Sequence, residues 1–221
     1  MESNHFISNV LPVPQDANPS PIFGYDDSPI LSLEEAVEKI IPFVPGLVDD
    51  VAKAKEKCNK ETILLTWDES AAIYLYTMPK SFYSSLNHAL RSENRTTVIP
   101  WFDFLKLLIT ALKKLPSIKR TIWRGVHYDA TSKFVNDDVY TWWTVTSCSS
   151  NVSSVQSRLV ESGTLFTIEA INGKDISMFS AIPNECEVIL MPGTRVRAKS
   201  PSLNVLEQLY IIHLEEIDFQ W

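Results

Sequence analysis

The chain has 221 residues, of which 45% are hydrophobic, 10% aromatic and 21% charged, with a formal net charge of −7. A chain of this length buries roughly 70% of the surface its unfolded form exposes, enough for one large domain or two small ones. No stretch offers the ~20 consecutive apolar residues of a membrane helix, and the twenty basic residues are too dispersed to bind bulk nucleic acid.

In chain order, residues 1–28 hold four of the thirteen prolines and show no hydrophobic period, which predicts an extended or disordered lead-in. Residues 1–20 lack the basic start and apolar core of a secretory signal, so an intracellular, cytoplasmic protein is expected. Helical patterns follow over residues 29–118. Ser32 and Glu35 form a capping box ahead of an apolar run, and Pro42, Pro45 and Gly46 interrupt that helix before a second piece over 47–58. Thr66 and Glu69 make another capping box, opening a helix to Tyr76. A further helix is expected over 79–91, with Pro79 in its first turn. Trp101, Leu105, Leu108, Leu112 and Leu115 then alternate at spacings of four and three, the apolar stripe of an amphipathic helix.

After Lys119 the pattern turns to strands. Residues 121–126 are short and β-rich, and 140–147 (YTWWTVTS) are aromatic and β-branched. Further strands are expected over 164–168, 186–190, 194–199 and 206–214, the last reading as buried on both faces. Only 153–161 reads as an interposed helix. Strands without crossover helices imply a largely antiparallel α+β arrangement. The helical half cannot bury its faces alone, so residues 29–221 are expected to form one domain, helical over 29–118 and β-rich over 119–221.

Some chemistries drop out by spacing. The six glycines are never closer than ten residues, which excludes glycine-rich phosphate loops. The three cysteines form no C-x-x-C pair and suit a reducing compartment. The four histidines are scattered, arguing against zinc catalysis and for a site without metal.

Three features could carry chemistry. Arg124 shares a strand face with Ile122 and Val126, where a charge is costly unless paired. It is either a structural arginine satisfied by an internal carboxylate or an anion clamp, with Gly125 letting a ligand approach the backbone. Ser147, Cys148 and Ser149 end the aromatic strand, where hydroxyls are commonly turn formers. Glu185 and Glu187, two apart, share one face of an expected strand: a solvated edge, or two carboxylates of a cleft with different roles.

The order and spacing of these features resemble those of the arginine-specific mono-ADP-ribosyltransferases of the R-S-E class. Trp123-Arg124-Gly125 stands for the arginine motif, Ser147-Cys148-Ser149 for S-T-S with Cys148 in place of threonine, and Glu185-Cys186-Glu187 for E-x-E. Residues 179–184 look like the family's two-turn loop, and 65–77 and 86–91 are similar to its helical region, so the resemblance spans about residues 62–215. It implies an α+β mono-ADP-ribosyltransferase fold, with an N-terminal helical lobe packed on a mostly antiparallel two-sheet core. It also implies NAD as co-substrate, no metal, and a target protein with an accessible arginine; no membrane or nucleic-acid partner is expected. Among the site residues it implies that Arg124 clamps the NAD pyrophosphate with Gly125 beside it, and that Ser147 holds Glu187. Glu187 steadies the ribosyl cation while gripping a ribose hydroxyl, and Phe179 and Glu185 face the acceptor. An NAD glycohydrolase and a catalytically silent NAD-binding module are the alternatives. Leader and disulfides, carried by the vertebrate ecto-enzymes, are absent, which again implies an intracellular form.

Overall fold

A computed structural model describes residues 13–14, 21–79, 81–159, 163–199, 203–206 and 209–217. Most of the expected lead-in lies outside them. Among the described residues the chain divides into two compact units. One contains 21–116 and 176–184, the other 13–14, 117–175 and 185–217.

In the second unit, strand β1 (Val13–Pro14) belongs to the sheet described below. The first unit opens with a 3₁₀ turn, Tyr25–Asp27, where the sequence predicts lead-in; Ile22 and Tyr25 are buried there. Helix α1 (Leu33–Val37) starts at Ser32, whose hydroxyl accepts from Glu35 N while Ser32 N donates to the Glu35 carboxylate, as the capping box predicts. It tightens into a 3₁₀ stretch, Glu38–Phe43, that contains Pro42. Gly46, at φ 76°, takes the left-handed turn that starts α2 (Leu47–Lys57).

Thr66 caps α3 (Trp67–Thr77), with Thr66 N donating 2.8 Å to Glu69. Helix α4 (Phe82–Arg91) begins three residues later than expected. Met78 precedes Pro79 and is extended (φ −62°, ψ 140°), the conformation a proline imposes on its predecessor, so the helix restarts only beyond it. The whole predicted stripe is buried, Leu105, Leu108 and Leu112 within helix α5 (Phe102–Lys114) and Trp101 and Leu115 at its two caps, and so are Phe104, Leu107, Ile109 and Ala111. Phe82 packs edge-on against Trp101 and Phe104 in this core. Segment 176–184 returns to this unit, where Ala181 N donates to Thr77 Oγ1 at 2.8 Å and Asn59 Nδ2 to Met178 O.

The second unit contains strands β2 (Ser117–Val126), β3 (Val139–Trp142) and β4 (Thr146–Ser149), helix α6 (Val152–Gln156), and β5 (Gly163–Asp175). Strands β6 (Glu187–Leu190), β7 (Thr194–Ala198), β8 (Leu203–Leu206) and β9 (Leu209–Ile217) complete it. Their order is β1-β3-β7-β9-β5-β2-β4-β6, with β8 on β9. Only β5–β9 is parallel among the described pairings. The expected two sheets are joined. Strand β5 is thirteen residues long, so one part runs beside β2 and β9 while its last residues, Lys174 and Asp175, pair with β6.

Three strand expectations are corrected. Residues 140–147 are not one strand: β3 pairs with β7, β4 pairs with β2 and β6, and the chain turns between them. The interposed helix is shorter than 153–161, and 160–162 lie outside the described residues. Strand β9 is not buried on both faces. Ile212 and Leu214 enter the core with Ile122, Val126, Trp142 and Phe166, whereas Leu209 and Ile211 are only half-covered, facing the small cluster of Val155, Leu159 and Leu165. A five-residue helix is too short to cover that face.

Candidate active site

Arg124 sits on β2 with Ile122 and Val126 in the core, the face that alternation assigns it; Trp123 turns to the opposite cluster. Its side chain is buried, and Nη1 donates 2.6 Å to Ser147 O on the adjacent β4. A guanidinium is a rigid planar fork, so this bond fixes its plane as well as its position. Gly125, also buried, lies opposite Leu165 of β5.

Strand β4 links the other two motifs. Trp123 of β2 lies opposite Ser149, Ser149 lies opposite Glu187 of β6, and Ser147 lies opposite Ile189. Ser149 Oγ donates to Glu185 O at 2.8 Å and accepts from Asn151 N at 3.0 Å, while Ser150 N donates to Cys186 O at 2.9 Å. Ser149 thus ties two segments together and also closes the local turn to Asn151 that a strand-end hydroxyl commonly makes.

The expected shared strand face of Glu185 and Glu187 is not found. Glu185 ends a 3₁₀ turn, Pro183–Glu185; Cys186 has a left-handed backbone at φ 50°; the strand starts only at Glu187. A non-glycine residue in that conformation costs roughly 1–2 kcal/mol and is held where surrounding bonds over-determine it. Here Ser150 N and Oγ both donate to Cys186 O. Nor is the pair a solvated edge, for Glu185 and Glu187 are both buried.

Burying two carboxylates and a guanidinium is expensive unless they are paired. Glu185 Oε1 meets Arg158 Nη1 at 2.8 Å, from the turn after α6. The second oxygen, Glu185 Oε2, is buried with no hydrogen-bond partner among the described residues. Nothing in the spacing of Arg158 marks it as a site residue, because its contact with Glu185 joins segments far apart in the chain.

Cys148, central in S-x-S, lies wholly in the apolar core, and burial pushes its thiol up to about 12, with the Arg124 charge opposing. A thiol is a small hydrophobe in such a place, so cysteine is accommodated there. Burial also pushes the Tyr128 phenol up, again opposed by Arg124. Phe179 is buried within 176–184, and its N–H donates to Ile176 O at 2.8 Å. That segment belongs to the helical unit, whereas Arg124, Ser147, Glu185 and Glu187 all belong to the strand unit.

Residues 50–218 match the family model described as NAD:arginine ADP-ribosyltransferase. The Mycobacterium avium (strain 104) protein Mav, whose name places it among NAD(+)–arginine ADP-ribosyltransferases, is 30% identical over 151 residues. That match covers 67% of this chain but spans only 18% of Mav. Among solved structures, the ADP-ribosyltransferase Vis of Vibrio splendidus, in complex with agmatine, superposes with a TM-score of 0.59 at 21% identity, covering 89% of this chain and 91% of Vis. The eucaryotic mono-ADP-ribosyltransferase ART2.2 superposes with a TM-score of 0.61 at 20% identity, covering 86% of this chain and 85% of ART2.2. The fold shared with both is the α+β mono-ADP-ribosyltransferase fold.

Proposed function

The chain belongs to the NAD:arginine ADP-ribosyltransferase family, and from that premise we propose that it transfers ADP-ribose from NAD to an arginine of a target protein, releasing nicotinamide. The observation that carries the reading is the tie between Arg124 and Ser147 next to a strand pairing that sets Glu187 opposite Ser149. A buried cation and a buried carboxylate on the two strands that flank β4 fit a dinucleotide that is anionic at its pyrophosphate and becomes cationic at its ribose during cleavage.

In this reading Arg124 holds the pyrophosphate, since charge-assisted bonds from a fixed guanidinium are the strong ones, and Gly125 leaves room beside it. Glu187 stabilises the oxocarbenium-like charge that develops at the ribose, and burial strengthens that effect. Ser147 keeps Glu187 and the ribose in register. Glu185 orients the acceptor guanidinium and takes its proton, which an arginine, protonated throughout the physiological range, does not readily release alone. Its unmatched Oε2 is a ready acceptor for a guanidinium N–H. Phe179, in the loop before Glu185, contacts the target. Agmatine, found with Vis, is itself a guanidino compound, which supports an acceptor of that class here.

A second reading, hydrolysis of NAD with water as acceptor, is favoured by one observation: Glu185 already carries the Arg158 guanidinium. The deciding experiment measures nicotinamide release and agmatine labelling side by side on folded variants. Glu185→Gln is expected to lose labelling while retaining nicotinamide release. Equal loss of both would remove the division of roles between the two glutamates, and labelling that survives intact would return Glu185 to a structural role.

A further inference from the structure

Resting on the transferase reading above, we propose that Arg158 is a positioning residue for transfer to arginine. It holds one oxygen of Glu185 so that the other meets the acceptor guanidinium in one fixed place. The two oxygens of that carboxylate have different surroundings. Oε1 meets Arg158 Nη1 at 2.8 Å, while Oε2 is buried with no hydrogen-bond partner among the described residues. An ionised carboxylate accepts on both oxygens, and a buried acceptor left unmatched is costly. One guanidinium is resident on Glu185 and a second completes it, so the resident arginine need not leave when a target arrives.

Backbone bonds fix the main chain of both partners. On the glutamate side, Ser149 Oγ donates to Glu185 O at 2.8 Å, and Ser150 N and Oγ donate to Cys186 O. These bonds leave the side-chain torsions of Glu185 to be set by what its carboxylate touches. On the arginine side, Asn151 Oδ1 accepts Ser153 N at 3.0 Å and caps α6, and Arg158 N donates to Val155 O at 3.2 Å. The next residue, Leu159, is buried against Val155 and Leu165. From this fixed turn Arg158, its side chain 34% exposed, reaches inward to a carboxylate side chain that is 6% exposed.

This role is separate from binding the acceptor. Without Arg158 both oxygens of Glu185 are open, so a cationic acceptor still finds the carboxylate; its orientation is what is lost. A misplacement of about 1 Å at a catalytic group can cost a hundredfold in rate. Water carries no guanidinium for Glu185 to align, so hydrolysis of NAD depends on the contact less than transfer does. Lysine is a point charge without the planar fork of arginine, so it restores the charge and only part of the orientation.

The test measures agmatine modification and nicotinamide release side by side on the full chain, on Arg158→Ala and on Arg158→Lys. NAD affinity by calorimetry and urea unfolding are followed on each. In Arg158→Ala, kcat for agmatine should fall about tenfold to a hundredfold without a rise in its KM. The ratio of agmatine modified to nicotinamide released should fall with it, and Arg158→Lys should lie between parent and Arg158→Ala. A KM that rises at unchanged kcat would overturn the proposal by making Arg158 part of acceptor binding. Weakened NAD affinity would assign it to the dinucleotide instead. Equal loss of transfer and nicotinamide release would leave it a structural residue, and faster agmatine turnover would mean that it blocks Glu185 rather than presents it. A parent chain that does not modify agmatine would sink the transferase reading itself, whereas a parent that does, with the ratio unchanged in Arg158→Ala, would sink this inference alone.

Discussion

Both units of this protein bury carboxylates, but they do so differently. In the helical unit, Asp103 and Glu69 are each reached by a lysine from the surface: Lys39, 65% exposed, at 2.7 Å, and Lys114, 42% exposed, at 2.7 Å. Glu69 also accepts Thr66 N and so closes a helix end. Other buried polar groups there serve backbone groups in the same way, as Ser70 Oγ does by donating to Asn59 O and Thr77 Oγ1 to Ile73 O. In the strand unit, Arg124, Ser147, Ser149, Glu185 and Glu187 are buried on β2, β4, β6 and the turn that leads into β6, and one carboxylate oxygen of Glu185 is buried without a hydrogen-bond partner among the described residues. Matched charge in the first unit completes helices. Concentrated, incompletely matched charge in the second is what a fold keeps for a ligand.

The comparison breaks most visibly at the two buried glutamates. Glu187→Gln removes the charge proposed to face the ribosyl cation and should lower nicotinamide release and transfer together by about a hundredfold or more, as removal of a single transition-state electrostatic partner does elsewhere. Glu69→Gln, equally buried, should leave turnover alone and lower stability by about 1–3 kcal/mol in urea unfolding, because it weakens a bond to Lys114. Full activity in Glu187→Gln would remove the distinction between the units and the transferase reading with it.

Arg124→Lys is the next largest effect. Lysine keeps the charge but loses the planar fork that Ser147 O orients. Loss of a charge-assisted contact of about 1.5–3 kcal/mol corresponds to a tenfold or greater weakening of NAD binding, read by calorimetry on a variant shown folded by circular dichroism. Unchanged binding would return Arg124 to the structural role that the helical unit's charges have.

What the sequence makes legible follows the same division. Helix starts at Ser32 and Thr66 and the α5 stripe are local matters, decided within four or seven residues, and each is found where it is expected. Arg124 could be placed on its face because alternation along β2 is also local. The break between β3 and β4 is not local: Trp142 is held by β7 and Thr146 by β6, and nothing in YTWWTVTS says which partner takes which residue. For the same reason the turn at Cys186 and the reach of Arg158 to Glu185 escape a period-two reading. The motif residues could be named from the sequence, whereas the contacts that hold them come from pairings between residues about twenty to forty apart.

Cys148 gives a smaller and pH-dependent contrast. Burial raises its thiol to about 12 in the folded chain, against 9.0 as its ordinary value. A raised value means the folded state holds the proton more tightly. Stability is therefore fully present below about pH 9 and is lost as pH climbs towards 12. Between pH 8 and pH 10 the parent should lose on the order of 1 kcal/mol more than Cys148→Ala, measured by urea unfolding at each pH. Thiol reagents at pH 8 should label half-exposed Cys186 before Cys148. Equal alkaline loss in parent and variant would show that the core around Arg124 is not closed to water.

The smallest effect tests the helical side at an exposed cap. The Ser32 hydroxyl, and then the Ser32 backbone N–H, hold the Glu35 carboxyl below its ordinary value. A lowered carboxylate stabilises the fold above its ordinary value and gives that stability up as pH falls through the lowered one. Ser32→Ala removes the 2.7 Å hydroxyl bond but keeps the 3.1 Å backbone bond, so the Glu35 titration should move part of the way up when followed by NMR. Nicotinamide release and NAD binding should not move at all, because this cap orders the first turn of α1 and belongs to the helical unit. A Glu35 titration that stays put would mean the capping box is not formed in solution; a change in turnover would mean that polar groups of the helical unit are not purely structural, and the contrast between the two units would fail at its weakest point.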